Sequence, residues 1–139
     1  MKIATLIIFL FAFNVGLSQT PSNNVITSDI GNFWNAYDQI TSTKDSSIKY
    51  EILDRVFISK GTPGLKAMMA ARAYTDKSFI DAIEKYPMYW KSIRKTMLKA
   101  NNYSREIASN IGKLKTIYPA LKPAKIYFTV GAFRSGGTT

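Results

Sequence analysis

The chain has 139 residues, with 19 Lys/Arg against 9 Asp/Glu for a net charge of +10, and it contains neither cysteine nor histidine. Without cysteine there is no disulfide, no thiolate nucleophile and no cysteine-ligated metal. Without histidine the commonest general base, the commonest zinc ligand and every serine–histidine arrangement are missing too.

The first stretch, MKIATLIIFLFAFNVGLSQT, has one cation at Lys2 and then an uncharged, mostly apolar run over residues 3–17. Gly16 and Ser18 are small residues at the −3 and −1 positions of a cut between Ser18 and Gln19. That is the layout of a secretory signal peptide. The run is too short for a stable membrane span, which takes about 20 residues in a helix. No cysteine follows to carry a lipid. The expectation is an exported protein (periplasmic, cell-surface or secreted), with residues 1–18 as signal peptide and the remainder sized for one domain. Residues 19–27, QTPSNNVIT, are polar with a proline and read as a flexible N-terminus.

Residues 28–118 read as a helical region. Ser28 or Asp29 can cap a first helix, on which Ile30, Phe33, Trp34, Tyr37 and Ile40 fall at steps of three and four. Asp45 begins a second, with Ile48, Ile52, Leu53, Val56 and Phe57 along one stripe. Gly61-Thr62-Pro63-Gly64 ends it and starts another. Gly61 suits a left-handed C-terminal position, Thr62 an N-cap and Pro63 a first turn. A third helix carries Leu65, Met68, Met69 and Arg72. Thr75 caps a fourth, whose Phe79, Ile80, Ile83 and Tyr86 face inward. After Pro87 the spacing predicts one long helix to about Tyr118, on a seam of Trp90, Ile93, Met97, Ala100, Ser104, Ile107, Ile111, Leu114 and Tyr118. Asn101-Asn102 marks a possible break.

Residues 119–139 change character. Ile126, Phe128 and Val130 alternate with Tyr127 and Thr129 in a strand pattern, and a glycine-rich turn follows. No upstream segment reads as a partner strand. The expected fold is therefore mainly α, a bundle of four to five helices with a C-terminal β-strand that begins a sheet.

Charge is unevenly placed. Residues 19–84 are nearly balanced, whereas residues 85–125 hold ten Lys/Arg against Glu106 alone. Lys91, Arg94, Lys95 and Lys99, with Arg134 in the terminal loop, are the candidate contacts for an anionic polymer, phospholipid headgroups or an acidic partner. The plainer reading is a solvated basic helix face. Nucleic acid is not expected, for no motif supports it. Asp81 and Glu84, one turn apart, read as a solvated pair answering Lys77 or Lys85 rather than a site. Trp34, Tyr37, Tyr86, Tyr89 and Trp90 read mainly as core, with a carbohydrate platform as the other use of such a set.

TPGLKAMMAARAYT, YWKSIRK and YPALKPAKIYFTVGAFRSGGTT carry a resemblance over residues 28–139. They resemble the N-terminal half of a family of exported bacterial predicted zinc-dependent peptidases similar to the gliding-motility-associated lipoproteins. The resemblance implies a downstream HExxH helix, in which two histidines bind zinc and the glutamate activates water. This chain holds none of it, so the resemblance assigns no catalytic or metal residue here. It implies an N-terminal fragment, inactive alone, that is completed by a missing C-terminal region and a zinc ion, with an α+β fold overall. Residues 126–130 (Ile126, Tyr127, Phe128, Thr129, Val130) would then be an edge for an extended peptide substrate. The alternative is a non-enzymatic helical module that binds an anionic envelope polymer or a partner protein.

Overall fold

The computed structural model describes residues 24–133. The signal segment 1–18, the Ser18/Gln19 cut and Arg134 lie outside the described residues. In chain order the elements are β1 (Val25–Ile26), α1 (Ser28–Ser42), α2 (Ser46–Leu53), α3 (Pro63–Arg72), α4 (Asp76–Lys85), α5 (Pro87–Met97), α6 (Ala100–Ile117) and β2 (Ile126–Tyr127), with a π-helical turn at Asp54–Ile58 continuing α2. The fold is mainly α, as the periodicity predicts, with a small two-stranded sheet.

The core forms where the apolar stripes of the helices meet. Phe33 on α1 is its centre, fully buried, with its ring 4.8 Å from Trp90, 5.3 Å from Trp34 and 5.5 Å from Phe57. Ile40, Leu53, Leu65, Phe79 and Ile83 close around these rings. The edge-to-face pairs Phe33–Trp34 and Phe33–Phe57 each add about 0.5–1.5 kcal/mol to the area term. Trp90 also places its indole N–H on the Ala82 carbonyl (2.9 Å), which pins α5 to α4. The π turn uses the bond from Ser59 N–H to the Asp54 carbonyl (2.8 Å), and it lets Leu53, Val56 and Phe57 all reach the core.

Local signals set most helix starts. Asp45 accepts from Ile48 N–H (3.1 Å), Thr62 from Leu65 N–H (3.3 Å), and Thr75 forms a capping box with Ser78. Four details differ from the sequence reading. Neither Ser28 nor Asp29 caps α1: Thr27 occupies that position, and Asp29 turns inward. Gly61 is not left-handed; it is glycine because a Cβ there would lie 2.9 Å from the Ile58 carbonyl oxygen and 2.6 Å from Leu65 Cδ2. Instead Ala73 is left-handed (φ 49°, ψ 42°), closing α3 with the Tyr74 N–H to Met69 carbonyl bond (3.0 Å). Tyr86 is half-exposed rather than inward-facing.

The single long helix is two. α5 ends at Met97, and a turn through Leu98 and Lys99 leads into α6, a few residues before Asn101-Asn102. The break lets Trp90, Ile93 and Met97 pack on the core while α6 takes a separate direction against β1. It buries Ala100 and brings the Asn101 side chain to accept from the Thr27 hydroxyl.

The expectation of a lone C-terminal strand is corrected. β1 and β2 pair in parallel, Val25 opposite Ile126 and Ile26 opposite Tyr127. Ile126 N–H donates to the Asn24 carbonyl (2.6 Å) and Phe128 N–H to the Ile26 carbonyl (2.8 Å). Val25 is buried, so residues 24–27 are held in place within the stretch read as a flexible N-terminus. The pairing escapes a local reading because the two strands are separated by every helix of the bundle.

Candidate functional site

Residues 126–133 hold the strand edge expected from the sequence and continue into a groove. In a parallel ladder alternate residues point their backbone groups to opposite sides. Ile126 and Phe128 bond to β1, so the N–H and C=O of Tyr127 face the other way, along an edge with no partner strand among the described residues. The Tyr127 ring lies on Gly64 at the start of α3, where any Cβ would overlap it. That contact anchors β2 to the bundle and leaves its outer edge free to pair.

Beyond β2 the chain runs alongside α5. Tyr89, Trp90, Ile93 and Met97 form one wall of a groove of about 430 Å³; Thr129, Val130, Gly131 and Phe133 form the other. Phe133 has a left-handed backbone (φ 63°) and stacks edge-on with Tyr86 and Tyr89 at 4.9 and 4.8 Å. The groove lining has no charged residue. The Thr129 hydroxyl is buried and has no hydrogen-bond partner among the described residues. Chemically this groove can hold an uncharged chain or ring; it offers no acid–base pair.

The proposed strand edge, residues 126–130, therefore lies on one continuous segment, half paired and half groove wall. The aromatic set divides. Trp34, Tyr37 and Trp90 are core, while Tyr86 and Tyr89 are half-exposed at the rim beside Phe133, which the sequence reading did not single out. Phe133 sits in a glycine-rich turn, and its position depends on packing that only the folded chain supplies.

Of the basic candidates, Arg94 has its anion within the bundle. Arg94 makes a bidentate ion pair with Asp38 (2.6 and 2.7 Å), and its guanidinium lies 5.0 Å from the Trp34 ring centroid. Hydrogen bonding from Arg94 holds the Asp38 carboxyl below its ordinary range, and the same bond raises the Arg94 pKa. Burial pushes the Tyr37 phenol up, against the neighbouring Arg94 charge. Arg94 is thus committed to tying α5 to α1. Lys91, Lys95 and Lys99 are exposed along α5 and the turn after it.

Asp81 pairs as the sequence predicts, whereas Glu84 takes a partner from another helix. Asp81 binds Lys77 at 2.8 Å and Lys85 at 3.5 Å, and its carboxyl is lowered chiefly by the Lys77 hydrogen bond. Glu84 takes Lys49 at 2.6 Å. Among the described residues no three His, Cys, Asp or Glu side chains gather as metal ligands, and the residues present do not fit a zinc site. No helix among the described residues is long and apolar enough to cross a membrane.

Comparison with family models, with curated proteins and with solved structures returns no match for this chain.

Proposed function

We propose that residues 24–133 are the non-catalytic helical part of an exported zinc metallopeptidase, whose zinc ligands come from a further region of the same protein. The half-paired β2 edge carries this reading: a strand anchored at Tyr127 on Gly64, with free backbone groups on its other side, is ready to continue a sheet or to take an extended peptide. The uncharged groove beside it adds a surface for apolar substrate side chains. The resemblance over residues 28–139 points the same way. Within this chain the bundle's task is to position that segment, with Trp90 packed on Phe33 and the Arg94–Asp38 pair holding α5 against α1.

The test is the polypeptide made by the source cell. An antibody raised against the bundle should recover a species well above the 15.6 kDa of this chain, carrying about one zinc per molecule. Its reading frame should continue past Thr139 to an HExxH helix. A stop codon after Thr139, with a zinc-free species no heavier than this chain, would overturn the proposal.

A further inference from the structure

The last turn of α6 and the loop after it combine exposed apolar side chains with unopposed positive charge. Ile117 is 81% exposed, Tyr118 56% and Leu114 48%. At 100° per residue, Leu114, Ile117 and Tyr118 fall within one third of the helix circumference, with Lys113 to one side and Lys115 to the other. Residues 107–125 carry Lys113, Lys115, Lys122 and Lys125 and no acidic residue. The tip is also built as a unit. Lys115 Nζ donates to the Pro119 carbonyl (2.7 Å) and to the Leu121 carbonyl, while Leu121 N–H donates to the Tyr118 carbonyl (3.0 Å). These bonds fold the loop that carries Lys122 back against the helix end.

We infer that this tip is a docking site for an anionic lipid surface, with Leu114, Ile117 and Tyr118 entering the headgroup–acyl boundary and Lys113, Lys122 and Lys125 lying on the phosphates. Charge complementarity selects the occupant. A second copy of the chain would set four cations against four. A dissolved polyanion would be held by the lysines alone and would leave the apolar face in water. An anionic bilayer satisfies both halves of the surface at once, and amphipathic basic helices bind it in that way. It needs no membrane-crossing helix. The inference is independent of the peptidase reading, since it uses neither β2 nor the groove.

The experiment is flotation of residues 19–139, the chain left by the expected cut after Ser18, with vesicles of phosphatidylcholine alone and of phosphatidylcholine with phosphatidylglycerol. The comparison is with Ile117→Asp and with Lys113→Gln/Lys122→Gln. Ile117 is largely exposed, so its substitution leaves the bundle folded, as circular dichroism should confirm. Binding should require phosphatidylglycerol and fall as salt rises. It should weaken about fivefold for each lysine neutralised, hence about 25-fold in the double variant. Ile117→Asp should also abolish it. An Ile117→Trp variant, its spectrum taken as the difference from the parent with its buried Trp34 and Trp90, should shift to the blue on phosphatidylglycerol vesicles. Equal flotation of all variants, or an unshifted tryptophan at position 117, would overturn the inference. So would a dimer in the absence of lipid that Ile117→Asp dissolves.

Discussion

Asp29 is the only charged residue in the buried core among the described residues, and both its carboxyl oxygens are used. Oδ1 accepts from Thr62 N–H at 2.9 Å and Oδ2 from the Thr62 hydroxyl at 2.6 Å. The same hydroxyl accepts from Leu65 N–H, so one carboxyl group in the first turn of α1 orders the N-terminus of α3. Replacing Asp29 by Ala removes two hydrogen bonds to a charged group, each contributing about 1.5–3 kcal/mol, and strands the Thr62 N–H. Partial hydration of Thr62 offsets some of this, and the expected loss is about 3–5 kcal/mol. Asp29→Asn keeps an acceptor for Thr62 N–H but turns a donor toward a hydroxyl already accepting from Leu65, and should cost about 1–2 kcal/mol. Urea unfolding followed by the fluorescence of Trp34 and Trp90 reads both variants. With a slope of about 2 kcal/mol per molar urea, Asp29→Ala should lower the midpoint by about 2 M. A shift below about 0.5 M, or equal shifts for Ala and Asn, would refute the idea that the two hydrogen bonds, rather than side-chain volume, hold the α1–α3 junction.

Three further outcomes are expected. Asp38 has its folded pKa lowered by Arg94, so its contribution is complete above the unfolded value near 3.9 and fades as pH falls through the folded value. Thermal unfolding between pH 5 and 2 should show a loss that Asp38→Asn reduces, by no more than about 1 kcal/mol because the pair is half-exposed. Ala73→Gly should raise stability by about 0.5–1 kcal/mol, since the left-handed C-terminal position of α3 strains alanine; an unchanged or lower urea midpoint would contradict this. Gly64→Ala should destabilise by about 1–3 kcal/mol through overlap with the Cβ and ring of Tyr127, and Tyr127→Gly, which removes both, should recover part of the loss in the same chain. Additive losses in that cycle would show that the two side chains do not meet.

The helices and their caps were legible because they rest on neighbours in sequence. Asp45, Thr62 and Thr75 each bond to an N–H three residues on, so the residue type and its spacing carry the information. The Asp81–Lys77 pair was legible for the same reason. The candidate strand edge was found from its alternation. Its partner was not, because Val25-Ile26 is two residues within a polar stretch and pairs across the whole bundle. Arg94 was read as an anion contact because its α5 neighbours are basic; its actual anion, Asp38, lies on α1.

Composition and periodicity alone determined the mainly helical class, the absence of histidine and cysteine chemistry, and the concentration of positive charge after residue 85. Each follows from what residues are present or from steps of three and four. Only the tertiary structure decided that Asp29 serves α3 rather than α1, that the predicted long helix divides at Leu98 and Lys99, and that β2 has one paired edge and one free edge. Those features depend on groups brought together by burial around Phe33 and Trp90, where the cost of an unpaired polar atom selects among partners that sequence spacing leaves equivalent.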